Sequence, residues 1–336
     1  MASADQIKAL LRSFVDRDDA QFLSIAMQVA AYEAKRGHGK LAEEIKEMID
    51  AAKNQRPGRE LLGRDPTPIS KPRGELANLV AVSYPRDTLA RMVTSDSVRE
   101  RLLRIIREQR HFQRLREHGL APRRRLLLTG PPGTGKTLTA SVLAGELGLP
   151  LFLVRLEVLI SKFLGETAAK LRLIFDAVRD TRGVYLFDEF DAIASQRGMS
   201  NEVGEIRRVL NSFLQFIEHN DSHSLIVAAT NHPELLDHAV YRRFDDIIEY
   251  DLPTPSQVAD TLKGRVRDFA GPDVEWSALG VAACGLSYAE ITRAADEAMK
   301  DAIIGDRTAV SQAELQVALA ERLAMRPAGA ARAAQT

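Results

Sequence analysis

The stretch Gly130-Pro131-Pro132-Gly133-Thr134-Gly135-Lys136-Thr137 constrains this chain more than any other. It fits G-x-x-x-x-G-K-[ST], a pattern that arises by chance in a chain of this length about once in a hundred. An apolar run, Arg125 to Thr129, precedes it, and a helical pattern, Lys136 to Leu147, follows. That strand-turn-helix setting is what the chemistry needs. Glycines let backbone N–H groups turn inward around phosphate oxygens at the positive end of the following helix. Lys136 is then placed to reach β- and γ-phosphates, and the Thr137 hydroxyl to ligate Mg²⁺. Residues 130 to 137, with Leu138, are the expected nucleotide-binding set.

From residue 125 short apolar runs alternate with amphipathic patterns. Expected strands are Arg125–Thr129, Leu151–Arg155, Val184–Asp188, Leu225–Thr230 and Ile247–Asp251; expected helices are Lys136–Leu147, Thr167–Asp180 and Glu202–Glu218. Such alternation implies an α/β fold with a doubly wound parallel sheet. The run Val184-Tyr185-Leu186-Phe187 ends in Asp188 and Glu189. Phosphoryl transfer needs one carboxylate near Mg²⁺ and one group to orient the attacking water. Asp188 suits the first role and Glu189 the second. After Pro253 and Pro255 only helical patterns remain. The expected organisation is a helical N-terminal domain at 1–56, a Pro/Gly-rich linker at 57–97, the α/β subdomain at 98–253, a helical lid at 254–325 and a tail at 326–336.

Composition removes several alternatives. Lys plus Arg equal Asp plus Glu at 46 each, and 45 % of the 336 residues are apolar. Zero formal charge gives no global attraction to nucleic acid. Locally, ten arginines between Arg99 and Arg125 face only Glu100, Glu108 and Glu117. This strip reads as a solvated or intersubunit helix face, since no nucleic-acid module accompanies it. No apolar run approaches the ~20 residues of a membrane helix, and no secretory leader is visible. Cys284 is the sole cysteine, so neither an internal disulfide nor a multi-thiolate metal site is expected. A cytoplasmic protein without membrane contact is the default.

GPPGTGKT followed some fifty residues later by Tyr185-Leu186-Phe187-Asp188-Glu189-Phe190-Asp191 resembles the AAA subgroup of the AAA+ family. The resemblance runs from about Arg99 to Arg322. It implies ATP and Mg²⁺ as cofactors, with Thr137 and Asp188 as the Mg²⁺ ligands. Leu225 to Asn231 resembles the sensor-1 strand, which would set the Asn231 amide beside the γ-phosphate. Arg242-Arg243-Phe244-Asp245 resembles the arginine-finger segment in the compact spacing of meiotic-clade members, the two arginines not being separable. A finger given in trans implies a neighbouring subunit, and the family implies a homohexameric ring. Cys284 to Ile291 resembles the sensor-2 region, with Ala289 where other clades carry arginine.

Lys162-Phe163-Leu164-Gly165 resembles the aromatic-hydrophobic-Gly pore loop of AAA translocases. An aromatic there can grip an extended polypeptide without demanding a sequence. The expected function is therefore ATP-driven remodelling or threading of a protein substrate. The layout also resembles single-module bacterial ATPases encoded beside subtilisin-like proteases. A nucleotide-gated switch and a nucleic-acid-associated helper remain alternatives.

Overall fold

The computed structural model describes residues 74–159, 164–194 and 202–325, together with residues 26, 29, 30, 32, 43 and 72. The chain divides into two compact units, Met1–Gly63 and Arg64–Thr336. Most of the expected N-terminal helices, Lys162 and Phe163 of the expected pore loop and the tail beyond Met325 lie outside the described residues.

In the second unit six strands form one sheet: β1 (Val80–Ser83), β2 (Arg125–Thr129), β3 (Leu151–Val154), β4 (Val184–Phe187), β5 (Leu225–Thr230) and β6 (Asp246–Glu249). Their order is β1-β3-β4-β5-β2-β6. All neighbours are parallel except the edge pair of β1 with β3. The sheet is thus mixed at one edge, where the sequence predicts only parallel strands. β1 lies inside the Pro/Gly-rich stretch read as linker, where three apolar residues and a serine give little signal. An edge strand at the entrance to the sheet needs no crossover helix and can pair antiparallel.

The central strands are apolar throughout because both faces are covered. Helices α1 (Asp96–Arg110) and α2 (Lys136–Leu147) cover one face, α3 (Leu164–Asp180) and α4 (Glu202–Glu218) the other. Alternation along each strand divides the core accordingly. Leu126 and Leu128 join the α1/α2 cluster, whereas Leu127, Tyr185 and Phe187 join the α3/α4 cluster. There Phe175, Phe187, Phe190 and Phe213 pack ring against ring, with centroids 4.9–6.1 Å apart.

Beyond the sheet, helices α5 (Pro255–Val266), α6 (Trp276–Ala282), α7 (Tyr288–Ile304) and α8 (Gln312–Ala324) bury a separate apolar cluster. Three of them start in capping boxes, Thr254 with Gln257, Ser287 with Glu290 and Ser311 with Glu314. Each box satisfies two of the backbone donors that a helix start leaves open.

α1 ends where the chain leaves helical geometry at His111 (φ −103°, ψ 23°), and a short helix, Phe112–Glu117, follows. Much of the arginine strip is spent inside the fold. Arg99 donates to the carbonyls of Leu89 and Met92, and Arg110 pairs with Glu146. Arg123 pairs with Glu108 and Asp246, Arg101 with Asp246, and Arg125 with Asp245.

Candidate nucleotide site

The parallel register brings the C-terminal ends of β2, β4 and β5 together, with Thr129 beside Thr230 and Phe187 beside Ala228. Ligand sites of open α/β sheets form at that edge. Residues 130–135 leave β2 there, and three glycines take φ values closed to most side chains: Gly130 at 137°, Gly133 at 76° and Gly135 at 100°. Gly130 is also pressed on its neighbour, since a Cβ would stand 2.1 Å from the Tyr250 carbonyl oxygen. The Thr134 hydroxyl donates to the Pro131 carbonyl at 2.8 Å and braces the loop internally.

Lys136 opens α2 and is 6 % exposed. Its ammonium donates to the carbonyls of Gly130 and Pro131, each at 2.7 Å, so the cation lies folded along the loop. Burial lowers its pKa to about 8, against the opposing pull of Asp188 and Asp191. Next to it the Thr137 hydroxyl donates to Asp188 Oδ2 at 2.6 Å. Two side-chain oxygen groups from different elements thus converge. Hard oxygen donors of this kind suit Mg²⁺ and offer nothing to a soft metal.

Glu189 turns sharply out of β4 at φ 52°, a left-handed value that a non-glycine residue adopts only under constraint. The Phe190 amide donates to the Ala229 carbonyl and the Ala192 amide to that of Glu189, which hold the turn. The Glu189 side chain is exposed, and no described residue pairs with its carboxylate. Asp191 accepts from the Thr230 hydroxyl at 2.7 Å, and Thr230 Oγ1 accepts from the His232 amide. Asn231, between those two, is therefore carried on a turn tied back to the acidic segment. Asp191 is not singled out from sequence, although it stands there as the third acid of Asp188-Glu189-Phe190-Asp191.

The C-terminal helical cluster reaches the same loop. The Ala289 amide, in the first turn of α7, donates to the Gly133 carbonyl at 3.1 Å, and a Cβ on Gly133 would meet Ser287 Oγ at 2.6 Å. Where an arginine could have stood, a main-chain contact is made. Beside it opens a cavity of about 710 Å³ lined by Met92, Val93, Thr134, Leu138, Asp260 and Tyr288 among others. Its volume lies within the usual range for small-ligand sites. Leu138 contributes an exposed apolar surface there. Met92, Val93, Asp260 and Tyr288 carry no motif, and only folding identifies them.

Arg242 and Arg243 are not gathered at this edge. They follow a short helix, His238–Tyr241, and precede the opposite end of β6. Arg243 is ion-paired with Glu218 at the end of α4, and its Nε is buried without a partner. Arg242 is exposed, and no described residue pairs with it. Leu164 and Gly165 fall in the first turn of α3, which begins three residues before the expected Thr167. His219 and His223, with Asp221 between them, build no metal group among the described residues. The Asn220 side chain instead accepts from the Ser222 amide in a turn. Among the described residues no helix is long and apolar enough to cross a membrane.

Comparison with known proteins agrees with this geometry. Residues 126–252 match the model of the ATPase family associated with various cellular activities, AAA. The AAA family ATPase y4kL of Sinorhizobium fredii is 36 % identical over 337 residues, covering 99 % of both chains. The ATP-dependent zinc metalloprotease FtsH 3 of Sphaerobacter thermophilus is 35 % identical over 213 residues, which span 62 % of this chain and 44 % of that protein. FtsH 2 of Sorangium cellulosum is 33 % identical over 60 % of this chain and 35 % of its own length. Strand, phosphate loop, acidic pair and whole-length similarity lead to one conclusion: this chain belongs to the AAA family and is an ATP hydrolase that uses Mg²⁺.

Proposed function

We propose that this chain works as a ring in the cytoplasm, with each ATP site completed by the next subunit, and that hydrolysis drives remodelling or threading of a protein substrate. The observation that carries the reading is a separation. The C-terminal end of β6 abuts the phosphate loop, whereas Arg242 and Arg243 precede its N-terminal end. Four strand residues span about 13 Å, more than an arginine side chain can bridge. On this reading a finger at this site comes from another copy, and the head-to-tail contact that this implies builds a ring where the rotation between copies closes. The Glu218 pairing supports Arg243 as the anchor and the unpaired Arg242 as the finger.

In this reading Thr137 and Asp188 hold the Mg²⁺, which neutralises phosphate charge when bound. Lys136 exchanges its two carbonyl partners for phosphate oxygens. Glu189, turned out of β4 with its carboxylate unpaired, takes a proton from the attacking water, and Asn231 orients that water. Arg242 of the neighbour stabilises the charge that develops on the transferring group. On this reading the Lys162–Gly165 segment, which runs into α3, converts turnover into motion of polypeptide. Two relatives named above are ATP-dependent proteases, which supports a protein substrate. The 336 residues contain no His-Glu-x-x-His; cleavage, on this reading, falls to a separately encoded subtilisin-like protease.

Glu189→Gln tests the site. ATP binding should persist while turnover falls at least about a hundredfold; wild-type turnover would overturn the assignment. Arg242→Ala subunits mixed with Glu189→Gln subunits should regain activity, because some interfaces then join an intact Glu189 to an intact finger. No rescue despite co-assembly would overturn the trans reading. Threading fails if unfolded protein does not stimulate hydrolysis and Phe163→Ala behaves as wild type.

A further inference from the structure

Tyr250 follows β6 directly and touches both ends of the phosphate loop. At the entrance its amide donates to the Thr129 carbonyl at 2.8 Å, and its carbonyl oxygen lies where a Cβ on Gly130 would fall. At the exit its hydroxyl lies 2.6 Å from Thr139 Oγ1, and Thr139 Oγ1 donates at 3.0 Å to the Gly135 carbonyl. Thr139 has one hydroxyl proton, already given to Gly135, so Tyr250 is the donor of the first bond. The order is Tyr250 hydroxyl to Thr139 hydroxyl to Gly135 carbonyl.

Both side chains belong to the interior: Thr139 is 0 % and Tyr250 3 % exposed. Burial pushes the Tyr250 phenol well above its ordinary range, so it keeps its proton. The surroundings are apolar, with Leu128, Leu143 and Ile248 in the same cluster. A valine and a phenylalanine would fill this space, and buried hydroxyls are costly unless bonded. The polar chain leads to one place, the peptide of Gly135, which holds φ 100° and caps α2. Successive bonds of such a chain polarise and stiffen one another.

We propose that Tyr250 is a positioning residue for ATP: acting through Thr139, its hydroxyl sets the Gly135 end of the phosphate loop in its binding geometry. The relay touches no nucleotide itself. Its effect falls on phosphate affinity rather than on the chemical step.

The full-length chain carrying Tyr250→Phe, Thr139→Val, Thr139→Ser or the Tyr250→Phe/Thr139→Val pair tests this by ADP calorimetry, steady-state ATPase and thermal unfolding without nucleotide. Tyr250→Phe and Thr139→Val should each weaken ADP binding and raise KM about five- to tenfold, the range of one lost hydrogen bond, with kcat within about twofold. Thr139→Ser keeps the relay and should match wild type. Thr139→Val strands a buried phenol hydroxyl and should lower Tm. The double variant is apolar at both positions and should regain that Tm without regaining affinity. Unchanged KM in both single variants, or affinity returning with Tm in the double variant, would overturn the proposal. If Thr139→Val does not fold, Tyr250→Phe alone decides, because it removes one hydroxyl and leaves the ring in place.

Discussion

The two ends of the sheet position their functional groups by opposite means. At the C-terminal edge main chain does the work: left-handed glycines, buried Thr134 and Lys136, and carbonyls that take the ammonium. At the N-terminal edge side-chain charge does it. Asp245 accepts from the Arg124 and Arg125 amides and pairs with the Arg125 guanidinium, while Asp246 meets Arg101 and Arg123. The first arrangement is stiff, steric and indifferent to salt. The second is adjustable, partly exposed and open to screening.

Gly130→Ala should break the stiff side most severely. The new methyl has a backbone carbonyl 2.1 Å away, and φ is 137°. Overpacking against main chain together with left-handed strain should cost about 3 kcal/mol and abolish nucleotide binding. Unfolding curves and calorimetry check both. Asp245→Asn, at the other edge, keeps amide acceptance but loses the pairing with Arg125. A cost of about 1–2 kcal/mol is expected, shrinking in high salt, with ATP affinity unchanged.

A pH series separates the edges in a different way. Lys136 titrates near 8 in the folded chain against 10.5 ordinarily. Below about 8 it is charged in folded and unfolded states alike. Between about 8 and 10.5 the unfolded chain holds a proton that the folded one has released, so nucleotide-free stability gains from rising pH in that window. Affinity runs the other way, because phosphate oxygens need the ammonium. ATP should bind about tenfold more weakly at pH 9 than at pH 7, with proton uptake visible as a buffer-dependent heat. Smallest of all, Arg101→Ala should cost under about 1 kcal/mol, since its side chain is 49 % exposed, and 0.5 M salt should erase the difference.

The same contrast explains what the sequence could reveal. A phosphate loop needs particular residues at fixed spacing, so Gly130 to Thr137 and Asp188-Glu189 are legible one position at a time. The central strands are legible because burial on both faces demands unbroken apolar runs. β1 escapes because four residues inside a Pro/Gly-rich stretch carry no period. The different surroundings of Arg242 and Arg243 escape because Glu218 lies twenty-five residues away and meets Arg243 only after folding. Met92, Val93 and Asp260 escape for a similar reason: a cavity wall is chosen by shape, not by spacing.

The bond between Ala289 and Gly133 has a consequence for how this protein can change over generations. A contact made by an amide and a carbonyl survives nearly every substitution at residue 289, because all amino acids but one carry that donor. The Ala289 side chain is exposed, so its identity is free to drift while the C-terminal helical cluster keeps its footing on the loop. Proline alone removes the donor, and in the first turn of a helix it does so at little cost to the helix. Selection at this position therefore falls on a single forbidden residue rather than on a preferred one.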